Sequence, residues 1–334
     1  MGEIKSAEII EYYLEDDREM RARLRKLNPI RHINDVKNLK RTVVLQQEFI
    51  EGLKKEKQIA ERQLKKLWIE PGHIYSPVTH SVKFQHFDKR QLIPGIDLNT
   101  EAQLELLKEF KKVYKEHTFT EKTTDKNRYF FDNDQFAHTD SLTLYSMLRT
   151  HKPKRVVEVG SGYSSALMLD VNNQFFDNKI ELTFIEPFPT RLRSLFRPED
   201  KKTAKIIVKP VQDVALNEFE KLESGDILFI DSSHISKSGS DVNWLYFEVL
   251  PVLKPGVIIH IHDIPYPFEY FDAWIKQGRS WNEAYLLRAL LIENPKFKLL
   301  FWGEYLHKFY AKDMRTAMPL STKNHGGSLW IQRQ

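Results

Sequence analysis

Between residues 231 and 263 the chain carries Asp231, His234, His260, His262 and Asp263. These are the side-chain types that move protons near neutral pH or ligate a divalent cation. A strand running through His260-Ile261-His262 would put both imidazoles on one side and leave Asp263 at its carboxyl end. A second constellation precedes it, Val156-Val157-Glu158-Val159-Gly160-Ser161-Gly162-Tyr163-Ser164-Ser165. It reads as a strand turning into a helix. The small residues Gly160, Ser161 and Gly162 let backbone pass close to a ligand, and the new helix offers unpaired N–H groups. Ser165 stands where G-x-G-x-x-G would have its third glycine, which weakens a dinucleotide reading. Glu158 points away from a pyrophosphate site, because a carboxylate there repels phosphate and suits an ammonium or sulfonium. Ser232-Ser233-His234 is set aside as a nucleophilic serine, since no G-x-S-x-G elbow surrounds it.

Further acids follow at regular intervals. Glu186 ends the next apolar run, where an acid can take both hydroxyls of a ribose. Gln212-Asp213 follows the third run, where an adenine edge can be read. Asp231 ends the fourth. Acids at the carboxyl ends of four successive strands mark the edge of an open parallel sheet where ligands bind.

The elements that must position these groups are short β-branched runs alternating with helical stretches. Strands are expected at 155–159, 181–186, 205–208, 226–231, 257–263, 297–302 and 328–332. Helices are expected at 164–169, 189–196, 216–222, 241–252 and 282–292. That alternation predicts an α/β fold with a mostly parallel sheet covered on both faces. The last two strands, with only a loop expected between them, predict an antiparallel hairpin at the edge. Ahead of the sheet, helices are expected at 99–116, with Thr100 as a cap, and from 139 or 140 to 149. Turn signals make 70–95 irregular. The first seventy residues are charged and nearly free of glycine and proline. They predict helices near 6–26 and 35–68, broken around Pro29. Their imperfect 3–4 apolar spacing suits an amphipathic hairpin, or an element for homo-oligomerisation or docking.

These motifs resemble the class I S-adenosylmethionine-dependent methyltransferases over about residues 127–332, with a Rossmann-like seven-stranded sheet. The resemblance rests on the glycine turn, Phe184-Ile185-Glu186-Pro187, Gln212-Asp213 and Phe229-Ile230-Asp231. Within that class the chain is similar to a branch often found beside glycan-building enzymes, the methyltransferase family 24-like proteins. The segments are Tyr129-Phe130-Phe131-Asp132-Asn133, Ser232-Ser233-His234, Ser238-Gly239-Ser240-Asp241 and His260-Ile261-His262-Asp263-Ile264. Trp281-Asn282-Glu283-Ala284-Tyr285 and Asn324-His325-Gly326-Gly327-Ser328 complete them. Three parts are expected: a helical extension over 1–70, cap or linker helices and loops over 71–150 on the substrate side, and the S-adenosylmethionine-binding domain over 151–334. It implies that Glu158 faces the cofactor's ammonium. Gly160, Ser161, Gly162 and Ser164 would cradle its amino-acid part, Glu186 would hold the ribose, and Gln212 and Asp213 the adenine. Asp231 would border the methyl group.

Strands four and five adjoin in that fold, so Asp231, His234, His262 and Asp263 would converge as the catalytic group. A hydroxyl is a poor nucleophile at neutral pH and needs a base or a metal. Two mechanisms stay open: His234 or His262 as base, or magnesium or a similar divalent ion on Asp231, His262 and Asp263. Metal-dependent relatives carry Asp-Asp or Asp-Asn where this chain has His262-Asp263. Tyr266 and Trp281 near the strand-five exit, with Tyr129 and Asn133 opposite, are expected to bind the acceptor.

The chain has 334 residues, a net charge of +5 and no cysteine. The missing cysteines exclude disulfides, thiolate metal sites and a cysteine nucleophile. No apolar run is long enough for a membrane span and no secretory signal is visible, so a cytoplasmic protein is expected. Its basic residues are dispersed, and no Asn-Pro-Pro-Tyr-like motif is present, so nucleic acid is not expected as a partner. The expectation is an O-methyltransferase acting on a hydroxyl of a sugar or glycan. The alternatives are a methyltransferase for a non-sugar small molecule, a nicotinamide oxidoreductase, and a non-catalytic scaffold of the same fold.

Overall fold

The computed structural model describes residues 29–66, 76–78 and 91–334, and side chains of the first helix over 37–63. Two compact units make up the chain, residues 1–77 and 78–334. The expected helix at 6–26 and most of the irregular stretch at 70–95 lie outside the described residues. In the first unit α1 spans Pro29–Lys66. Pro29, expected to break the chain, instead sits in its first turn, where a missing N–H costs nothing. Every described side chain of α1 is exposed.

The second unit opens with α2, Thr100–Tyr114, and α3, His138–His151. Asn99 rather than Thr100 occupies the cap position of α2, and the Thr100 hydroxyl pairs with Tyr305 Oη at 2.8 Å. The run of α3 from Thr139 to Leu148 is wholly buried, so it belongs to the core of this unit.

Seven strands follow: β1 Arg155–Val159, β2 Glu181–Ile185, β3 Ala204–Ile207, β4 Ile227–Ile230, β5 Ile258–Ile261, β6 Phe297–Trp302 and β7 Leu329–Arg333. They form one sheet in the order β3-β2-β1-β4-β5-β7-β6. The pairs among β1 to β5 are parallel, and β7 pairs antiparallel with both β5 and β6. Every residue of β4 and β5 is buried, the expected state of near-continuous apolar runs covered on both faces. The order reverses between β1 and β4, and a crevice opens outside the carboxyl ends of strands at such a switch.

Helices connect the strands: α4 Tyr163–Phe175, α5 Thr190–Leu195, α6 Asn217–Glu220, α7 Asp241–Trp244, α8 Leu250–Val252, α9 Asp272–Lys276 and α10 Glu283–Leu291. A π-turn, Leu245–Val249, joins α7 to α8, so the helical run expected at 241–252 is present with one wide turn. The expected plain loop between the last two strands is corrected. That stretch holds α11, Gly303–Phe309, α12, Ala311–Ala317, and a 3₁₀ turn, Pro319–Lys323. Helices this short are unstable alone; burial of Tyr305, Leu306 and Met314 holds them.

One buried cation stitches the segment before α3 to α4 and to the turn before β3. The Arg128 guanidinium donates to Asp170 on α4 at 2.7 Å and to Asp200 at 2.9 Å. Asp170 Oδ2 also accepts the backbone N–H groups of Arg128 and Tyr129.

Candidate active site

The crevice holds a cavity of about 420 Å³ bounded by the glycine turn, Glu186, Asp231, His234, His262 and Asp263. Its floor is the turn after β1. Gly160 has φ +79°, and a Cβ there would lie 1.9 Å from the Asp231 carbonyl oxygen. Only glycine lets β1 and β4 exit that closely. The turn is fixed from both sides, because Gly160 N–H donates to the Ile185 carbonyl and Asp231 N–H to that of Val159.

Glu158 is placed differently from expectation. It lies under the turn, fully buried and outside the cavity lining, and accepts the hydroxyls of Ser164 (2.6 Å) and Ser165. Burial pushes its carboxyl up to about 8 against the pull of those two hydroxyls. Ser165 Oγ also accepts the Gly162 N–H at 3.0 Å. The residue that replaces the third glycine is therefore the clamp that closes the turn on Glu158.

Glu186 does face the cavity, anchored by the N–H groups of Ser161 (3.1 Å) and Phe188 (2.8 Å). Gln212 and Asp213 line a separate cavity of about 450 Å³ instead, with Trp244 and Phe247. Gln212 Nε2 donates there to the Gly239 carbonyl at 2.8 Å.

At the exits of β4 and β5 the expected convergence is present. His234 Nε2 is 3.4 Å from Asp231 and 3.7 Å from Asp263, and its Nδ1 is 2.9 Å from Glu283 Oε2. Burial works against charge on this imidazole, but Asp231 and Glu283 outweigh it and raise its pKa to about 10. His234 is thus an imidazolium fixed by carboxylates. It also has φ 60°, and Asp263 has φ 54°. Left-handed backbone at two non-glycine residues is strain concentrated on this site. Burial opposes ionisation of Asp231, yet His262 and His234 hold its carboxyl below the ordinary carboxylate value. Burial lifts the Asp263 carboxyl against the pull of His262 and His234. His262 is raised on balance: burial lowers it, while Asp263, Asp231 and Asp140 raise it. Its Nδ1 is buried and has no hydrogen-bond partner among the described residues. His260 lies on the same side, its ring 5.5 Å from that of His262, but stacks on Phe229 and bonds Ser328 deep in the core. Burial holds it neutral, well below its ordinary pKa.

A second cavity, of about 330 Å³, shares Gln135, His262 and Asp263 with the first. Asn133, Asp134, Asn324, His325, Phe271 and Trp274 form much of its wall. Of the four expected acceptor residues, Trp281 lines the first cavity and Asn133 the second. Asn133 also braces its own loop by accepting the Phe136 N–H and donating to the Phe130 carbonyl. Tyr129 and Tyr266 line neither. Tyr129 is fully buried and donates to the Phe136 carbonyl, and Tyr266 packs on Trp302, Tyr305 and Phe309. Aromatic side chains of this size are drawn into the core by their own apolar area.

Sequence reasoning missed Glu283, Arg191 and Asp140 as site residues. Glu283 is fully buried at the start of α10 and accepts from both His234 and the Ser232 hydroxyl (2.7 Å). Asp140 Oδ1 accepts the N–H groups of Gly327 and Ser328, tying α3 to the loop beside Asp263. The signal for Glu283 was its place within Trp281-Asn282-Glu283-Ala284-Tyr285. Among the described residues no group of three or more His, Asp and Glu side chains has the arrangement to hold a metal ion. Asp231 and Asp263 face His234, and Asp263 also faces His262, so the divalent ion left open on Asp231, His262 and Asp263 does not fit these side chains as placed.

A family model described as a methyltransferase domain matches residues 157–264. A protein of Archaeoglobus fulgidus described as uncharacterized is 33% identical over 180 residues, which is 50% of this chain and 79% of that protein. The chain is also similar to the S-adenosylhomocysteine-bound methyltransferase of Podospora anserina, at 17% identity and TM-score 0.39, over 71% of this chain and 94% of that one. The O-methyltransferase of Streptomyces achromogenes involved in tomaymycin synthesis, solved with S-adenosylmethionine, aligns over 69% of this chain and 90% of its own. Its identity is 14% and its TM-score 0.38. No helix among the described residues is long and apolar enough to cross a membrane.

Proposed function

This chain belongs to the class I S-adenosylmethionine-dependent methyltransferases, and from that premise we propose that it methylates a hydroxyl oxygen of a sugar or glycan. The observation that carries the reading is the meeting of two cavities at His262 and Asp263. One cavity has the glycine cradle and the Glu186 carboxylate that suit a nucleoside. The other has aromatic faces and amide or carboxylate groups that suit a polyol.

The residues present fit the cofactor. Gly160 and Gly162 line the cavity with bare backbone, and Glu186 presents a carboxylate suited to a ribose. When bound, S-adenosylmethionine supplies an electrophilic methyl group on a sulfonium. The chain's own residues must then hold the acceptor and take its proton. His234 is already protonated at neutral pH and does not serve as the base. It holds Asp231 and Asp263 in place. The proton acceptor is assigned to the His262–Asp263 pair, 3.6 Å apart on the wall common to both cavities. A base must lie within about 3 Å of the hydroxyl, or one water away, and only this wall borders both ligands. Phe271 and Trp274 favour a second reading, a non-sugar hydroxyl compound of similar size.

The test uses methyl-labelled S-adenosylmethionine with panels of monosaccharides, oligosaccharides and aromatic alcohols. Label in an ether linkage on a sugar supports the first reading and on a non-sugar the second. Label on nitrogen, or no transfer by protein that binds S-adenosylhomocysteine, overturns both.

A further inference from the structure

We propose that Arg279 anchors an oxyanion carried by the acceptor, so that the natural substrate is an acidic or phosphorylated sugar rather than a neutral one. This rests on the hydroxyl-acceptor reading above and narrows it.

Arg279 lines the first cavity beside Trp281. Its guanidinium carbon lies 4.7 Å from the centre of the Trp281 ring and 5.1 Å from that of Trp274, so two indoles hold it. Trp274 lines the second cavity, and Trp281 packs against His234 with ring centres 4.4 Å apart. The cation therefore lines the first cavity while stacking on a ring that lines the second. Its backbone is braced as well, with its N–H donated to the Trp274 carbonyl at 3.1 Å.

Among the described residues no carboxylate lies within 4.0 Å of this guanidinium, in contrast to Arg128, Arg149 and Arg155, which are each ion-paired. Stacking leaves the in-plane N–H edge of an arginine available, and that edge matches carboxylate or phosphate with two parallel bonds. A neutral sugar does not use such a fork.

The other arginine of the cavity stands by the glycine turn. Arg191 Cδ lies 3.3 Å from where a Cβ on Gly162 would be, beside the glycine turn. It is the arginine suited to the carboxylate of the cofactor's amino-acid part. The two cations thus divide between two anions, and Arg279 faces the acceptor side.

The experiment uses full-length protein loaded with S-adenosylhomocysteine. Methyl glucoside, methyl glucuronide, glucose 6-phosphate and inorganic phosphate are titrated by calorimetry. Wild type is expected to bind an anionic sugar at least about tenfold more tightly than the neutral glucoside, the scale of one charge-assisted bidentate contact. Whether carboxylate or phosphate is preferred identifies the oxyanion. Arg279→Gln is expected to remove the preference, and Arg279→Lys to restore only part of it, with affinity for S-adenosylhomocysteine near wild type in both. Equal binding of neutral and anionic sugars, or no binding of any anion, overturns the proposal. So does an Arg279→Gln variant that loses S-adenosylhomocysteine affinity but keeps anion preference. Anion binding is read without turnover, so failure of methyl transfer to any hydroxyl would be seen separately.

Discussion

Glu283 Oε2 lies 2.9 Å from His234 Nδ1, and the backbone returns the contact, because the His234 carbonyl accepts the N–H groups of Asn282 and Glu283. A helix start and a strand exit forty-nine residues apart therefore grip each other on both side chain and main chain. The grip orients the imidazole so that Nε2 faces Asp231 and Asp263. Glu283→Gln is expected to lower the His234 pKa from about 10 towards its ordinary 6.5. Loss of the charged bond should cost about 1.5–3 kcal/mol of stability. In wild type the stabilisation from His234 is full below pH 6.5 and is lost as pH rises towards 10. Nitrogen-15 NMR titration of the imidazole, with urea denaturation across that window, measures both. An unchanged His234 titration in Glu283→Gln would refute the assignment.

His262→Ala and Asp263→Asn are each expected to lower kcat by about 10²–10⁴ while S-adenosylhomocysteine still binds. Single-turnover transfer with saturating cofactor separates the two effects. Near-normal turnover in both variants would place the base elsewhere. Chelation gives an independent arm: because the carboxylates are engaged with histidines, activity is expected to survive it.

Glu158 predicts an alkaline weakness. Its carboxyl keeps a proton to about pH 8 in the folded protein, against 4.5 in its ordinary state. Between those values the folded state holds a proton that the unfolded chain has released, so stability falls as pH rises through the window. Glu158→Gln mimics the protonated form. It is expected to melt higher than wild type at pH 9 and to show a flatter Tm profile from pH 5 to 9. A parallel profile would show that Glu158 is ionised in the folded state.

Gly160 and Gly225 form a matched pair for testing the cavity floor. Both have positive φ, +79° and +85°, but a Cβ at Gly225 would meet nothing within 4 Å. Gly225→Ala should cost only the backbone strain, about 1–3 kcal/mol. Gly160→Ala adds the collision with the Asp231 carbonyl and is expected to abolish S-adenosylhomocysteine binding. Equal melting temperatures and equal binding in the two variants would contradict the close approach of β1 and β4.

The central strands were legible because buried parallel strands are written as unbroken apolar runs; β6 begins and ends where expected. The convergence of Asp231, His234, His262 and Asp263 followed from strand adjacency. Other features had no local signature. The direction of Glu158 depends on Ser164 and Ser165 turning back beneath the glycine turn, which residue type alone does not state. Tyr129 and Tyr266 have the composition of a sugar platform, but aromatic side chains fill cores as readily as they line pockets. Glu283 stands in a segment the sequence did single out, but its role depends on α10 beginning against the exit of β4. The charge on His234 required all its neighbours at once.

The Arg128 stitch also sets where a change far from the chemistry would be felt. Its three members are 42 and 72 residues apart along the chain, so one guanidinium ties the approach to α3 to both α4 and the turn before β3. The segment that follows Arg128 supplies Asn133 and Gln135 to the cavity walls. The floor rests instead on the close approach of β1 and β4. A change at Arg128, which lines neither cavity, is expected to loosen the wall on the acceptor side and to leave the floor in place.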